Sequence, residues 1–109
     1  MGSMRASDGK RYNLGKYRMV ASWISGHYSG DFHEVEEELY LSPGGQWLLW
    51  GYGGALTEYA EPALGGGFGA GSALRVISLD EAREWLYTRR IGEDEIPEDL
   101  IDTLMPEGE

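Results

Sequence analysis

The stretch from 34 to 51, EVEEELYLSPGGQWLLWG, constrains this chain more than any other. It reads as two strands joined by a Pro-Gly-Gly turn. Successive side chains of a strand point to opposite faces. Val35, Leu39 and Leu41 therefore share one face with Glu37 as the odd member, while Glu34, Glu36, Glu38 and Tyr40 take the other. One face is expected to be packed and one wet. Ser42-Pro43-Gly44-Gly45 suits a turn with Pro at the second position, where its fixed φ is pre-set, and Gly at the third, where φ turns positive. The returning strand, Gln46 to Trp50, is apolar on both faces at Trp47-Leu48-Leu49-Trp50. Such a strand is either central and covered on both sides, or presents an aromatic face to a partner.

The rest of the chain supplies the partners of this hairpin. Tyr17 to Ile24 reads as a first strand, with Tyr17, Met19, Ala21 and Trp23 on one face. SGHYSGDFH, residues 25 to 33, is a loop. Residues 55 to 61 are expected to form one helical turn before Pro62, and LGGGFGAGS, residues 64 to 72, a flexible loop, because glycines at that density make ordering costly. Leu74 to Ile77 is a short strand. Ser78 and Glu81 then match a capping box, opening a helix through Arg90 with Leu79, Ala82, Trp85 and Leu86 on its apolar stripe and Gly92 as its stop. Pro97 opens a short helix with Leu100, Ile101 and Leu104 facing inward. The sum is an α+β domain over residues 17–104, an antiparallel sheet of three to four strands with one long and one short helix at the C-terminal end of the chain. Residues 1–16 are expected to be a tag remnant (Met1-Gly2-Ser3, ahead of Met4) and a flexible basic segment, and 105–109 an acidic tail.

Composition narrows the function classes. The absence of Cys excludes a disulfide framework, thiol catalysis and thiolate metal sites. No apolar run approaches the roughly 18 residues of a membrane-spanning helix and no signal segment opens the chain, so a cytoplasmic location is expected. The net charge of −10 is uneven. Residues 1–30 carry five basic side chains against Asp8, a balance of +4, while residues 31–109 carry four arginines against eighteen carboxylates, a balance of −14. Such a field repels nucleic acid and lipid headgroups and favours a basic partner, so neither nucleic acid nor membrane is expected to bind.

The candidate chemical motifs are thin. The glycines of residues 64–72 precede a strand rather than a helix, and no Gly-Lys-Ser/Thr follows, so they do not make a phosphate loop. No metal or cofactor is expected; the residues a metal would draw on are His27, Asp31 and His33, at a spacing that matches no ligand signature. Ser25, His27 and Asp31 lack the setting of a catalytic triad. Glu36, Glu37 and Glu38 could serve as paired carboxylates only across a cleft, and strand alternation splits them. Protection of an edge strand by charge is the first reading of these glutamates, and an acidic docking stripe the second.

The run GDF-H-EEELY, then GQWLLWGYGGALTEYAE, then a Gly-rich gap and ISLDEAREWL, resembles a family of small bacterial proteins associated with Firmicutes and mobile elements. The likeness spans roughly Tyr17 to Arg90. It implies a common fold and no particular activity. The chain departs from the family at Trp47-Leu48-Leu49-Trp50, where a Phe-Leu pair and a polar residue are expected, and in its longer Gly-rich loop. The expected function is a non-enzymatic, acidic binding or regulatory protein, such as an antitoxin-like or anti-defence accessory that mimics nucleic acid. Its contacts with a basic protein partner would run through Glu34, Glu36, Glu38, Tyr40, Trp50 and Tyr52. The alternative is a small-molecule-binding or hydrolytic pocket under the Gly-rich loop, lined by Trp47, Trp50, Tyr59 and Phe68 with His27, Asp31 and His33 as polar groups. A homo-oligomer is the third reading.

Overall fold

The computed structural model describes residues 2–25 and 33–108. Its elements are β1 (Met4–Arg5), β2 (Arg11–Tyr12), β3 (Arg18–Ile24), β4 (Val35–Leu41), β5 (Trp47–Gly53), β6 (Glu61–Pro62), β7 (Phe68–Gly69), β8 (Gly71–Ile77), α1 (Leu79–Thr88) and α2 (Ile101–Leu104), with short 3-10 turns at Leu14–Lys16, Glu93–Glu95 and Glu98–Leu100. The fold is α+β, as the patterning predicts. One antiparallel sheet runs in the order β3-β4-β5-β8, and β1-β2 and β6-β7 form two small hairpins.

The predicted hairpin forms at the sheet's centre, with Leu41 opposite Trp47 and Val35 opposite Gly53, so its second strand runs to Gly53, beyond the expected Trp50. Its turn differs by one residue. Gly45 N–H donates to Ser42 O (3.0 Å), and the positive φ, +88°, falls on Gly45 rather than Gly44. Pro43-Gly44-Gly45 is thus a three-residue loop that closes through a left-handed glycine. A second difference concerns β4, which is an inner strand flanked by β3 and β5. Edge protection therefore does not account for its glutamates.

Both faces of β5 are covered. Toward the helices, Leu39, Trp47, Leu49 and Ile77 pack with Ala82, Trp85 and Leu86 of α1 and with Ile96, Leu100 and Leu104 beyond it. On the opposite face Leu48 and Leu74 pack with Ala6 and Tyr12 of the N-terminal hairpin, flanked by Met4, Leu14 and Tyr17. The sequence reading has a flexible lead in residues 1–16; the structure has a packed hairpin there. Its turn is stabilised by Asp8, which accepts from Lys10 N–H (3.0 Å) and Tyr12 Oη (2.6 Å). Ser7 N–H donates to Leu74 O (3.0 Å), tying the hairpin to the free edge of β8. Charge pattern hides this cover, because its apolar residues are interleaved with lysines and arginines.

β3 also departs from simple alternation. The register shifts between Met19, opposite Tyr40, and Ala21, opposite Leu39. The bulge at Val20 turns Ala21 and Trp23 toward the helices and leaves Met19 on the hairpin side, so the expected single row of four is split. The expected helical turn before Pro62 is instead a chain of turns: Thr57 donates both N–H (3.1 Å) and Oγ1 (2.8 Å) to Gly54 O, and Ala60 N–H donates to Thr57 O. Part of the Gly-rich segment is strand as well, since β8 begins at Gly71, three residues earlier than patterning suggests.

Helix α1 starts as expected, Glu81 N–H donating to Ser78 Oγ and Ser78 N–H to Glu81 Oε1, both at 3.0 Å. It stops before Gly92. Ile91 N–H reaches Leu86 O (3.0 Å) and Arg90 N–H reaches Tyr87 O (3.1 Å), with Arg90 at φ +56°. These two bonds define a Schellman ending, whose left-handed position ordinarily belongs to glycine. A left-handed L-residue costs about 1–2 kcal/mol, partly offset by the greater entropy glycine loses on folding. Arg90→Gly is therefore expected to raise the unfolding free energy by roughly 0.5–1 kcal/mol, read as a higher urea midpoint with an unchanged m-value.

Candidate functional site

Two groups of polar side chains stand out, one on each face of β4. On the helix side Glu37 is 1% exposed. Its carboxylate is met by three donors: Tyr59 Oη on Oε2 at 2.5 Å, and on Oε1 Trp85 Nε1 at 3.1 Å and Arg89 Nε at 2.7 Å. Arg89 in turn lies 4.6 Å over the ring of Trp23, which sits beside Glu37 on β3. Burial pushes the Glu37 carboxyl upward, but the hydrogen bonds from Arg89, Tyr59 and Trp85 outweigh it and hold the pKa below the ordinary 4.5. Burial and the neighbouring Glu37 raise the Tyr59 hydroxyl, which keeps its proton. A carboxylate ionised, buried and held by three donors in this way is a structural anchor, with no access for a substrate.

The chain makes room for this anchor with glycine. Gly51 lies opposite Glu37 on β5, and a Cβ there would meet the Tyr59 ring at 1.9 Å. A Cβ at Gly53 would meet Thr57 Oγ1 at 2.1 Å, and one at Gly71 the Tyr59 carbonyl at 2.3 Å. The turns of residues 54–60 thus lie flat on the part of the sheet that α1 does not reach, and deliver Tyr59 to Glu37.

On the hairpin side the predicted partner-binding residues come together. Glu36 pairs with Tyr52 across the strands, Glu38 with Trp50, and Tyr40 with Leu48. Trp50 and Tyr52 stack with ring centroids 6.3 Å apart and planes 10° from parallel. Tyr40 Oη donates to Glu38 Oε1 at 2.7 Å. Burial and Glu38 together raise the Tyr40 pKa, so this hydroxyl stays a donor. Met4 and Leu14 of the N-terminal segment close over Glu38, Tyr40 and Trp50 to leave a hollow of about 410 Å³. Glu34 stands one residue ahead of β4, its carbonyl accepting from Gly54 N–H at 3.2 Å. Sequence reasoning missed Met4 and Leu14, because their segment carries no strand-length pattern. It also missed Tyr59 and Arg89 as partners of Glu37; the one available signal was a carboxylate out of place on an apolar face.

The other candidates separate. Trp47 packs in the helix-side core while Trp50 lies on the opposite face, so the expected pocket of Trp47, Trp50, Tyr59 and Phe68 does not assemble. Phe68 stands exposed on β7. His33 is exposed; His27 and Asp31 lie outside the described residues. Among the described residues no three His, Cys, Asp or Glu side chains gather as a metal site, and no helix is long and apolar enough to cross a membrane. Set against protein-family models, curated proteins and solved structures, the chain matches none.

Removing Glu37 leaves Arg89 without its anion. Arg89 keeps 26% of its side chain exposed, so Glu37→Ala is expected to lose about 3 kcal/mol, the lower end for breaking a buried pair. Glu37→Gln, which keeps the shape, should lose about 1–2 kcal/mol. Because the folded pKa is depressed, the stability it contributes is complete above about pH 4.5 and is lost as pH falls through the folded value. Urea unfolding at pH 7 and about pH 3 should therefore show a smaller acid-dependent loss in Glu37→Gln than in the parent.

Proposed function

We propose that the protein is a non-enzymatic, acidic binding or regulatory protein whose outer sheet face engages a basic protein partner. The observation that carries this reading is the pairing of carboxylates with aromatics on one face: Glu36 beside the exposed Tyr52, Glu38 beside the half-buried Trp50, with Tyr40 holding Glu38. Tyr52 is 43% exposed although it lies on a central strand. Aromatics of this kind anchor interfaces, and carboxylates around them select a cationic partner and speed its encounter. The balance of −14 over residues 31–109 adds a long-range field of the same sign. A field of that sign fits an antitoxin-like or anti-defence accessory of a mobile element, whose carboxylates would stand in for phosphates. A buried Glu37 held by three donors, rather than an unpaired carboxylate in a cleft, supports a binding role over a hydrolytic one.

The test is a calorimetric titration with a short Lys/Arg-rich peptide. Affinity is expected to fall about tenfold or more between about 50 and 300 mM salt, since exposed charges are screened over that range. The Glu36→Gln/Glu38→Gln variant should weaken binding, whereas Glu84→Gln on the helix side should not. Equal affinity for the double variant would overturn the reading.

A further inference from the structure

Besides the outer-face hollow, other hollows among the described residues border α1. One is apolar, between the end of α1 and Met105-Pro106. Another is lined by Arg75, Arg89, Glu81 and Glu84, among others, as many cations as anions. The hollow under the N-terminal hairpin has a different character. Its lining combines one carboxylate, two aromatic rings, a thioether and a leucine, with glycine completing it and no cationic side chain. Tyr40 engages Glu38 through Oε1, and among the described residues Oε2 accepts no hydrogen bond. The anion is therefore held in orientation and left half open. Trp50 is braced by its stack on Tyr52, which fixes the indole that forms one wall.

From this juxtaposition we propose that the hollow bounded by Met4, Leu14, Glu38, Tyr40 and Trp50 is a binding site for an alkylammonium group. An ammonium next to the Glu38 carboxylate gains a charge-assisted hydrogen bond on the open oxygen. The indole offers its negative face to the same cation, a gain of the cation–π kind that increases as water is excluded. Met4 and Leu14 supply apolar surface to the methylenes or methyls behind the charge. A guanidinium is a poorer fit, because its planar fork seeks two acceptors and only one carboxylate oxygen is open. This deepens the reading above and rests on it for the source of the cation, a lysine of the partner. The chemistry of the hollow applies equally to a free amine.

The experiment is an NMR titration of the full chain, following the Trp50 indole N–H, with n-butylammonium and tetramethylammonium chloride against sodium chloride at equal ionic strength. A saturable shift with millimolar affinity is expected for n-butylammonium, a weaker one for tetramethylammonium, which has no N–H for Glu38 and keeps only the cation–π and apolar contacts, and none for sodium. Glu38→Gln should weaken binding about tenfold, the effect of losing one charge-assisted contact of about 1.4 kcal/mol. Tyr40→Phe, which leaves the charge and frees its orientation, should weaken binding roughly threefold. Far-UV circular dichroism and the remaining indole resonances show that each variant is folded. The proposal is overturned if Trp50 responds no differently to the ammonium probes than to sodium, or if both folded variants keep the parent affinity. An Nα-acetyl-lysine peptide and its Nε-acetylated form separate the sources. Binding of the first alone supports a protein lysine. Binding of the small amines without the peptide upholds the hollow and sinks the protein-partner reading. Salt-sensitive peptide binding that leaves Trp50 unmoved and survives Glu38→Gln does the reverse.

Discussion

The buried carboxylate of Glu37 is the constraint on which the rest of the packing depends. An ionised group in the middle of a sheet's apolar face is tolerated only when its lone pairs are met by donors. Here the donors come from two elements distant in sequence, the turns after β5 and the last part of α1. Meeting them fixes how far α1 slides along the sheet, because Trp85 and Arg89 must both arrive at one carboxylate oxygen. It also dictates glycine at positions 51, 53 and 71, where any side chain would lift the turns away and take Tyr59 with them. A hydrophobic residue at 37 would give a core that is easier to form and less particular about its register.

Glu37 and Glu38 are adjacent, identical in chemistry and opposite in fate, and the difference lies in what is packed over them. Above Glu37 are a helix and a turn that bring three donors. Above Glu38 are a short hairpin that brings a methionine and the turn after it that brings a leucine, leaving one phenol as the carboxylate's partner. The first arrangement completes the anion within the chain. The second leaves it incomplete, beside an aromatic wall.

Strand alternation made most of this legible before any coordinates. The hairpin of residues 34–51, the shared face of Glu36, Glu38 and Tyr40 and the capping box at Ser78 follow from period and turn chemistry, whereas the apolar run Trp47 to Trp50 leaves open whether the chain or a partner covers its second face. What escaped did so for physical reasons. The bulge at Val20 leaves no mark in a run of alternating residues, so Met19 was placed on the wrong side. Arg90 as a helix terminator defies propensity, because tertiary contacts of Leu86 and Ile91 outweigh the local penalty. The packed N-terminal hairpin is short and charged, and its apolar residues acquire meaning only beneath the sheet. Tyr59 is brought to Glu37 by three glycines whose sequence signature is indistinguishable from that of a loose loop.

The position of β4 within the sheet sharpens the functional question. Charged residues on an exposed edge need no further explanation, since they prevent strands of other molecules from adding. β4 has neighbours on both sides, so Glu36 and Glu38 serve no such purpose. Glutamate is a poor strand residue, and like charges two positions apart on one face repel. Neither the hairpin's register nor the core requires them, for Leu39, Leu41 and Glu37 specify those from the other face. Glu36 and Glu38 thus weaken a strand, serve no edge and stand beside stacked aromatics, which is why a cationic partner is proposed for this face.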